Sequence, residues 1–66
     1  MSIAKVIEVI AEGDTMEAAM EAAVKEASKS VRNVKGLYVE NIQAIIENNK
    51  IAKYRLNTKI TFVVED

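Results

Sequence analysis

The chain has no cysteine, histidine, proline or tryptophan, and glycine only at positions 13 and 36. Without Cys there are no disulfides and no thiolate metal sites. Without His the commonest zinc ligand and the commonest general base are both gone. The lack of Pro and the scarcity of Gly leave no linker composition, so the chain reads as ordered from end to end. No apolar run approaches the ~20 residues that span a membrane. The segment from Met1 to Glu12 carries Lys5, Glu8 and Glu12 and lacks the pattern of a signal peptide. Nine basic and ten acidic residues are interspersed with a net charge of −1, which leaves no basic stripe for a nucleic acid. These absences describe a cytoplasmic protein with no nucleic-acid partner and no membrane partner.

What is present is 66 residues, enough for one domain spanning 1–66. A domain this small buries only about 60% of its unfolded surface and is marginal unless something is added. With disulfides and common metal sites excluded, oligomerisation is the remaining stabiliser.

Ile3 to Ala11 is rich in Ile and Val and reads as a strand. Ile3, Ile7 and Val9 fall on one face and Val6 and Ile10 on the other, so both faces read as covered. Gly13-Asp14 breaks the pattern. Asp14 is the expected helix N-cap, with Glu17 three residues on as in a capping box. Met16, Ala19, Met20, Ala23, Val24, Ala27 and Val31 then form one helical stripe. Met16, Met20 and the alanines are expected in the core, in a helix of ~17 residues ending near Arg32-Asn33.

Val34 to Glu47 and Lys50 to Glu65 read as a long hairpin closed by Asn48-Asn49, since Asn tolerates the left-handed conformation of such a turn. In that register Glu47 opposes Lys50, Leu37 faces Ile60, Val39 faces Thr58 and Ile45 faces Ala52. Tyr54, Leu56, Phe62 and Val64 join that apolar face, which is assigned to the helix. The open face then carries Gly36, Tyr38, Glu40, Ile42, Ala44 and Ile46, with Ile51, Lys53, Arg55, Asn57, Lys59, Thr61 and Val63 beside them. Strands of ~14 residues span roughly 45 Å, and a helix of ~17 only roughly 26 Å. The sheet overhangs its helix, and the expected cover is other copies of the same chain.

The order strand, helix, two long antiparallel strands resembles the dodecins, a family of small flavin-binding proteins. The resemblance is carried by Lys5-Val6-Ile7-Glu8, Gly13, Ala22-Ala23 through Ala27, Ser30-Val31-Arg32-Asn33-Val34, and Tyr54-Arg55 ahead of Lys59-Ile60-Thr61-Phe62. It implies an α+β fold of order β-α-β-β, with a three-stranded antiparallel sheet wrapped round one long helix. It implies a hollow homododecamer and riboflavin, FMN or a related small aromatic ligand held between subunits. Flavin-binding members stack a Trp on the ligand where this chain has Gly36, and use a Gln where it has Arg55. In this the chain is similar to members that lack the Trp, some of them associated with bound cations.

Three candidate ligand residues follow, each with a plainer role beside it. Tyr38 can stack on a planar ligand from a position two residues beyond the missing Trp, or pack on Lys59 or a subunit contact. Arg55 can bind a phosphate or a ring carbonyl through its fork of donors, or pair with Glu40. Gly36 can border the ligand, or simply permit close approach of a neighbouring chain. Glu8, Glu12, Asp14, Glu65 and Asp66 form an acidic rim that could hold a divalent cation or stand solvated. No catalytic residue is assigned: nothing brings two of Glu40, Tyr38, Tyr54 or a lysine into one buried cleft. The two functions in view are a flavin-storing shell, and a structural or cation-binding homo-oligomer that has lost flavin.

Overall fold

The computed structural model describes the backbone of residues 2–65 and the side chains of residues 3–64. Strand β1 (Ser2–Gly13) leads into helix α1 (Met16–Ser28), followed by β2 (Val34–Glu47) and β3 (Lys50–Glu65). The three strands form one antiparallel sheet in the order β1-β3-β2, with β3 in the centre. This is the expected α+β fold, and both hairpin strands keep their expected bounds. The turn explains that accuracy: Asn48 and Asn49 sit at φ 53° and 62°, the pair of positive values a tight hairpin turn of type I′ needs.

The helix differs from expectation at both ends. Its N-cap is Thr15, not Asp14: the Thr15 hydroxyl accepts a hydrogen bond from the Ala18 amide at 2.9 Å. Glu17 therefore sits in the first turn, where it favours the helix dipole without closing a capping box. The helix stops at Ser28, whose hydroxyl donates back to the Val24 carbonyl at 2.8 Å. The Ser30 and Val31 amides both turn back to the Ala27 carbonyl, which ends the helix and carries Val31 against the core. Asn33, at φ 59°, then reverses the chain. It is tied to β3 by the Val63 amide donating to its carbonyl and by its own side-chain amide donating to the Val63 carbonyl.

Ala19, Ala23 and Ala27 are buried and let the helix lie close on Ala11, Leu56 and Ile60. Met16, expected in the core, is exposed, because only the alanine stripe faces the sheet. Thr58 is buried with its hydroxyl satisfied by the Val9 carbonyl at 2.6 Å. The Cα extents are 51 × 19 × 14 Å, whereas a helix of 13 residues is ~20 Å long. Beyond the Gly13–Tyr54 pair there is neither a third strand nor a helix, and the hairpin continues as a bare two-stranded ribbon.

The register carries bulges at Lys35, at Glu40 and at Ala52. Ile45 pairs with Lys53, not Ala52, and the slip persists until Val39 meets Thr58. Between the bulges Ile42 and Ala44 oppose Leu56 and Tyr54, and so share the helix-side face. Ile46 and Ile51 follow them onto that side. The expected placement of Ile42, Ala44, Ile46 and Ile51 on the open face is thus corrected, and Ile45 moves the other way.

Gly13 is a point of close approach. A Cβ built there meets the Ala19 backbone nitrogen at 2.6 Å, so the first turn of α1 rests on bare backbone. Gly13→Ala is expected to destabilise the fold by about 1–3 kcal/mol through overpacking, read as a lowered denaturation midpoint in urea. An unchanged midpoint would show that the helix start can shift freely.

Candidate functional site

The open face is built in rows across the sheet, each with a β3 residue at its centre. Nearest the turn, Glu12, Arg55 and Gln43 lie side by side. Next come Ile10, Asn57 and Asn41, then Glu8, Lys59 and Tyr38, then Val6, Thr61 and Gly36. Alternation along strands dictates these rows, and the Glu40 bulge brings Asn41 and Gln43 into them. Tyr38 is 72% exposed, Ile10 64% and Val6 53%. Large apolar groups therefore stand in water beside ordered polar ones.

Ion pairs mark the two ends. Glu12 accepts from Lys53 at 2.8 Å on one carboxylate oxygen and from the Arg55 Nε at 2.7 Å on the other. The expected Arg55–Glu40 pair does not form. Glu40 pairs with Lys59 at 3.3 Å instead, because β1 delivers Glu12 directly opposite Arg55. The hydrogen bond from Lys53, then that from Arg55, holds the Glu12 carboxyl below its ordinary pKa.

Gly36 and Tyr38 come together near Thr61 and Lys59, but Arg55 does not join them. Along β3, Thr61 and Arg55 are six positions apart, or ~20 Å. Neither of two surface recesses reaches these residues. One, of ≈ 480 Å³, lies between α1 and β2 and is lined by Met20, Glu21, Val24, Lys25 and Leu37. The other, of ≈ 390 Å³, lies at the helix exit around Asn33 and Phe62. The acidic rim is divided as well: Glu12 is opposite Arg55 near one end of β1, while Glu65 pairs with Ser2 at the other. Among the described residues no three metal-ligating side chains gather; the side chain of Glu65 and all of Asp66 lie outside them.

The family model for dodecin matches residues 3–65. The chain belongs to the dodecin family. A crystal structure of a point mutant of the Thermus thermophilus dodecin superposes with a TM-score of 0.90 at 24% identity, covering 100% of this chain and 98% of that one. Streptomyces coelicolor dodecin gives 0.88 at 26% identity, covering 98% and 94%. Streptomyces davaonensis dodecin gives 0.89 at 15% identity, covering 98% and 97%. These likenesses show that this dodecin shares their fold. No curated protein matches the chain.

Gln43 and Lys53 were not among the sequence candidates, and Glu12 was named only in the acidic rim, not as the partner of Lys53 and Arg55. Gln43 leaves a trace in the sequence: an unbroken register would bury Asn41 and Gln43 under the helix and expose Ile42 and Ala44, a conflict that a bulge removes. Glu12 leaves no local trace, since its partner Arg55 is 43 residues away.

The lowered Glu12 pKa fixes the sign of one pH effect. The folded chain holds this proton more weakly than the unfolded one, so the contribution is full above the ordinary value of 4.5. It is lost as pH falls through the lower folded value. Glu12→Gln should therefore flatten the acid limb of the stability–pH profile, and an unaltered limb would mean the pairs contribute nothing in solution.

Proposed function

We propose that this dodecin is a binding and storage protein for a small planar aromatic ligand of the flavin class, riboflavin or FMN, held non-covalently between subunits of a homododecamer. One observation carries the reading. The residues suited to such a ligand share one open face and are spread along it: on β3, Arg55 lies four positions, or ~13 Å, from Lys59, the partner of Tyr38, and six, or ~20 Å, from Thr61, the partner of Gly36. A planar ligand lying along this face between Tyr38 and Arg55 is covered on one side only, and the face of a second chain would supply the other. Exposed Tyr38 and Ile10 supply apolar contact, and Arg55 supplies donors for a polar edge. Storage would follow from burial, and quenching of the excited ring from stacking. The protein acts by binding rather than by catalysis.

Apolar surface favours self-association. Ile46 and Ile51 on the helix side of the bare ribbon, and Ile42 just before it, each remain more than half exposed. Fully burying such a side chain is worth roughly 1.5–3 kcal/mol. Light scattering of the intact protein should give a mass near twelve times the 7.3 kDa chain, and Ile46→Lys should lower it. A folded particle of single-chain mass at micromolar concentration would overturn the assembly.

A second reading, a structural or cation-binding homo-oligomer without flavin, is favoured by the absence of Trp and by Gly36 itself. A Cβ at Gly36 falls 2.9 Å from the Thr61 hydroxyl oxygen, so a side chain there requires the Thr61 hydroxyl to move. Titrating riboflavin while following its fluorescence separates the readings: quenching at micromolar protein supports the first, and none supports the second. Gly36→Trp combined with Thr61→Ala restores a stacking surface and removes the clash. It should tighten riboflavin binding by about two- to tenfold, the worth of one aromatic pair. Unchanged affinity in an assembled variant would put the ligand elsewhere.

A further inference from the structure

We infer that Lys53 and Arg55, bridged by Glu12, form an oxyanion subsite at the turn-proximal end of the open face, and that Glu12 sets its preference for a phosphate-bearing over a neutral planar ligand. The assignment of the planar part rests on the flavin reading; the subsite does not.

The geometry leaves donors to spare. Glu12 takes one hydrogen from Lys53 on one oxygen and one from the Arg55 Nε on the other. Both terminal amino groups of Arg55 have no hydrogen-bond partner among the described residues. An ammonium carries three donors, so Lys53 also keeps some. Both side chains are about two-fifths exposed. Glu12 fixes where the two cations stand, through the in-register Glu12–Arg55 pair, and Gln43 completes the row with a neutral amide.

Charge decides the ligand class. Two cations against one carboxylate leave this end with one net positive charge. Around Lys59 the balance is reversed: Glu40 pairs with it at 3.3 Å and Glu8 lies opposite it in register. The face is thus polarised, basic beside Arg55 and acidic beside Tyr38. An anionic group is attracted to one end only, which orients a ligand that has an aromatic part and a phosphate. A planar fork with free terminal donors matches a phosphate better than a ring carbonyl.

The test compares FMN with riboflavin, which differ by the phosphate, by fluorescence quenching on the assembled protein at low and high salt. FMN is expected to bind more tightly, with the difference shrinking at high salt. Glu12→Gln keeps an acceptor for Arg55 and removes the charge. It should tighten FMN by about two- to fivefold, the range of one exposed charge pair, and so widen its margin over riboflavin. Arg55→Gln should abolish the preference, as should Lys53→Gln in part, which serves if the Glu12 variant does not assemble. Equal binding of the two flavins, unmoved by any variant, would overturn the subsite. If neither flavin binds, the storage function falls, and inorganic phosphate then decides the subsite. A titrating shift of the Arg55 Nε resonance, stronger in Glu12→Gln, supports it; no shift refutes it.

Discussion

One short helix has to cover a sheet more than twice its length. The 51 Å long dimension against a helix of ~20 Å cannot be reconciled within one chain. Close packing is achieved where the two overlap: alanines at 19, 23 and 27 and the bare backbone of Gly13 bring helix and sheet together. Ile46 and Ile51 beyond the overlap, and Ile42 at its edge, stay wet. Removing the exposed half of each from water is worth ~1 kcal/mol, a few kcal/mol per chain. A small domain has only about 5–15 kcal/mol of net stability. Cover from neighbouring copies is therefore comparable to a large share of what keeps the chain folded, which couples assembly to stability.

The bulges decide what each face offers. A one-residue slip in a strand exchanges its two faces. Glu40 and Ala52 introduce compensating slips on opposite strands, so the register is ordinary at the turn and again at Val39, and shifted only between. That local shift collects the apolar residues on the helix side, where a neighbour can cover them. It gives the open face Asn41 and Gln43 instead. Two extra residues thus separate the apolar side of the sheet from the polar one.

Strand bounds, turn and fold class were legible because their chemistry is local: Asn-Asn at the turn, Ile and Val in β1, alanine spacing in α1. The helix end was not, since it depends on the Ser30 and Val31 amides turning back to the Ala27 carbonyl rather than on Gly or Pro. Thr15 and Asp14 are both good caps, and only the backbone path after Gly13 selects between them. At the candidate site the face of Gly36, Tyr38 and Arg55 was legible from alternation near the hairpin. The partner of Arg55 was not, because it comes from β1 and depends on a pairing that leaves no local mark. The result is a face on which Gly36, Tyr38 and Arg55 all lie, with Arg55 apart from the other two, and whose electrostatics only the sheet order reveals.

That electrostatic pattern alters what a ligand would meet. An aromatic wall at position 36 would contribute ~0.5–1.5 kcal/mol beyond its area, insensitive to salt and to the ligand's charge. Gly36 contributes no wall. A guanidinium at position 55 contributes charge-assisted donors, stronger than the neutral donors of an amide, and screened by salt where exposed. The two differences push the same way, from selection by flatness toward selection by charge. Glu12 moderates the shift, since an unpaired Lys53–Arg55 cluster would repel itself and attract any anion. With the carboxylate between them, the two cations are fixed in place and only one positive charge is left over.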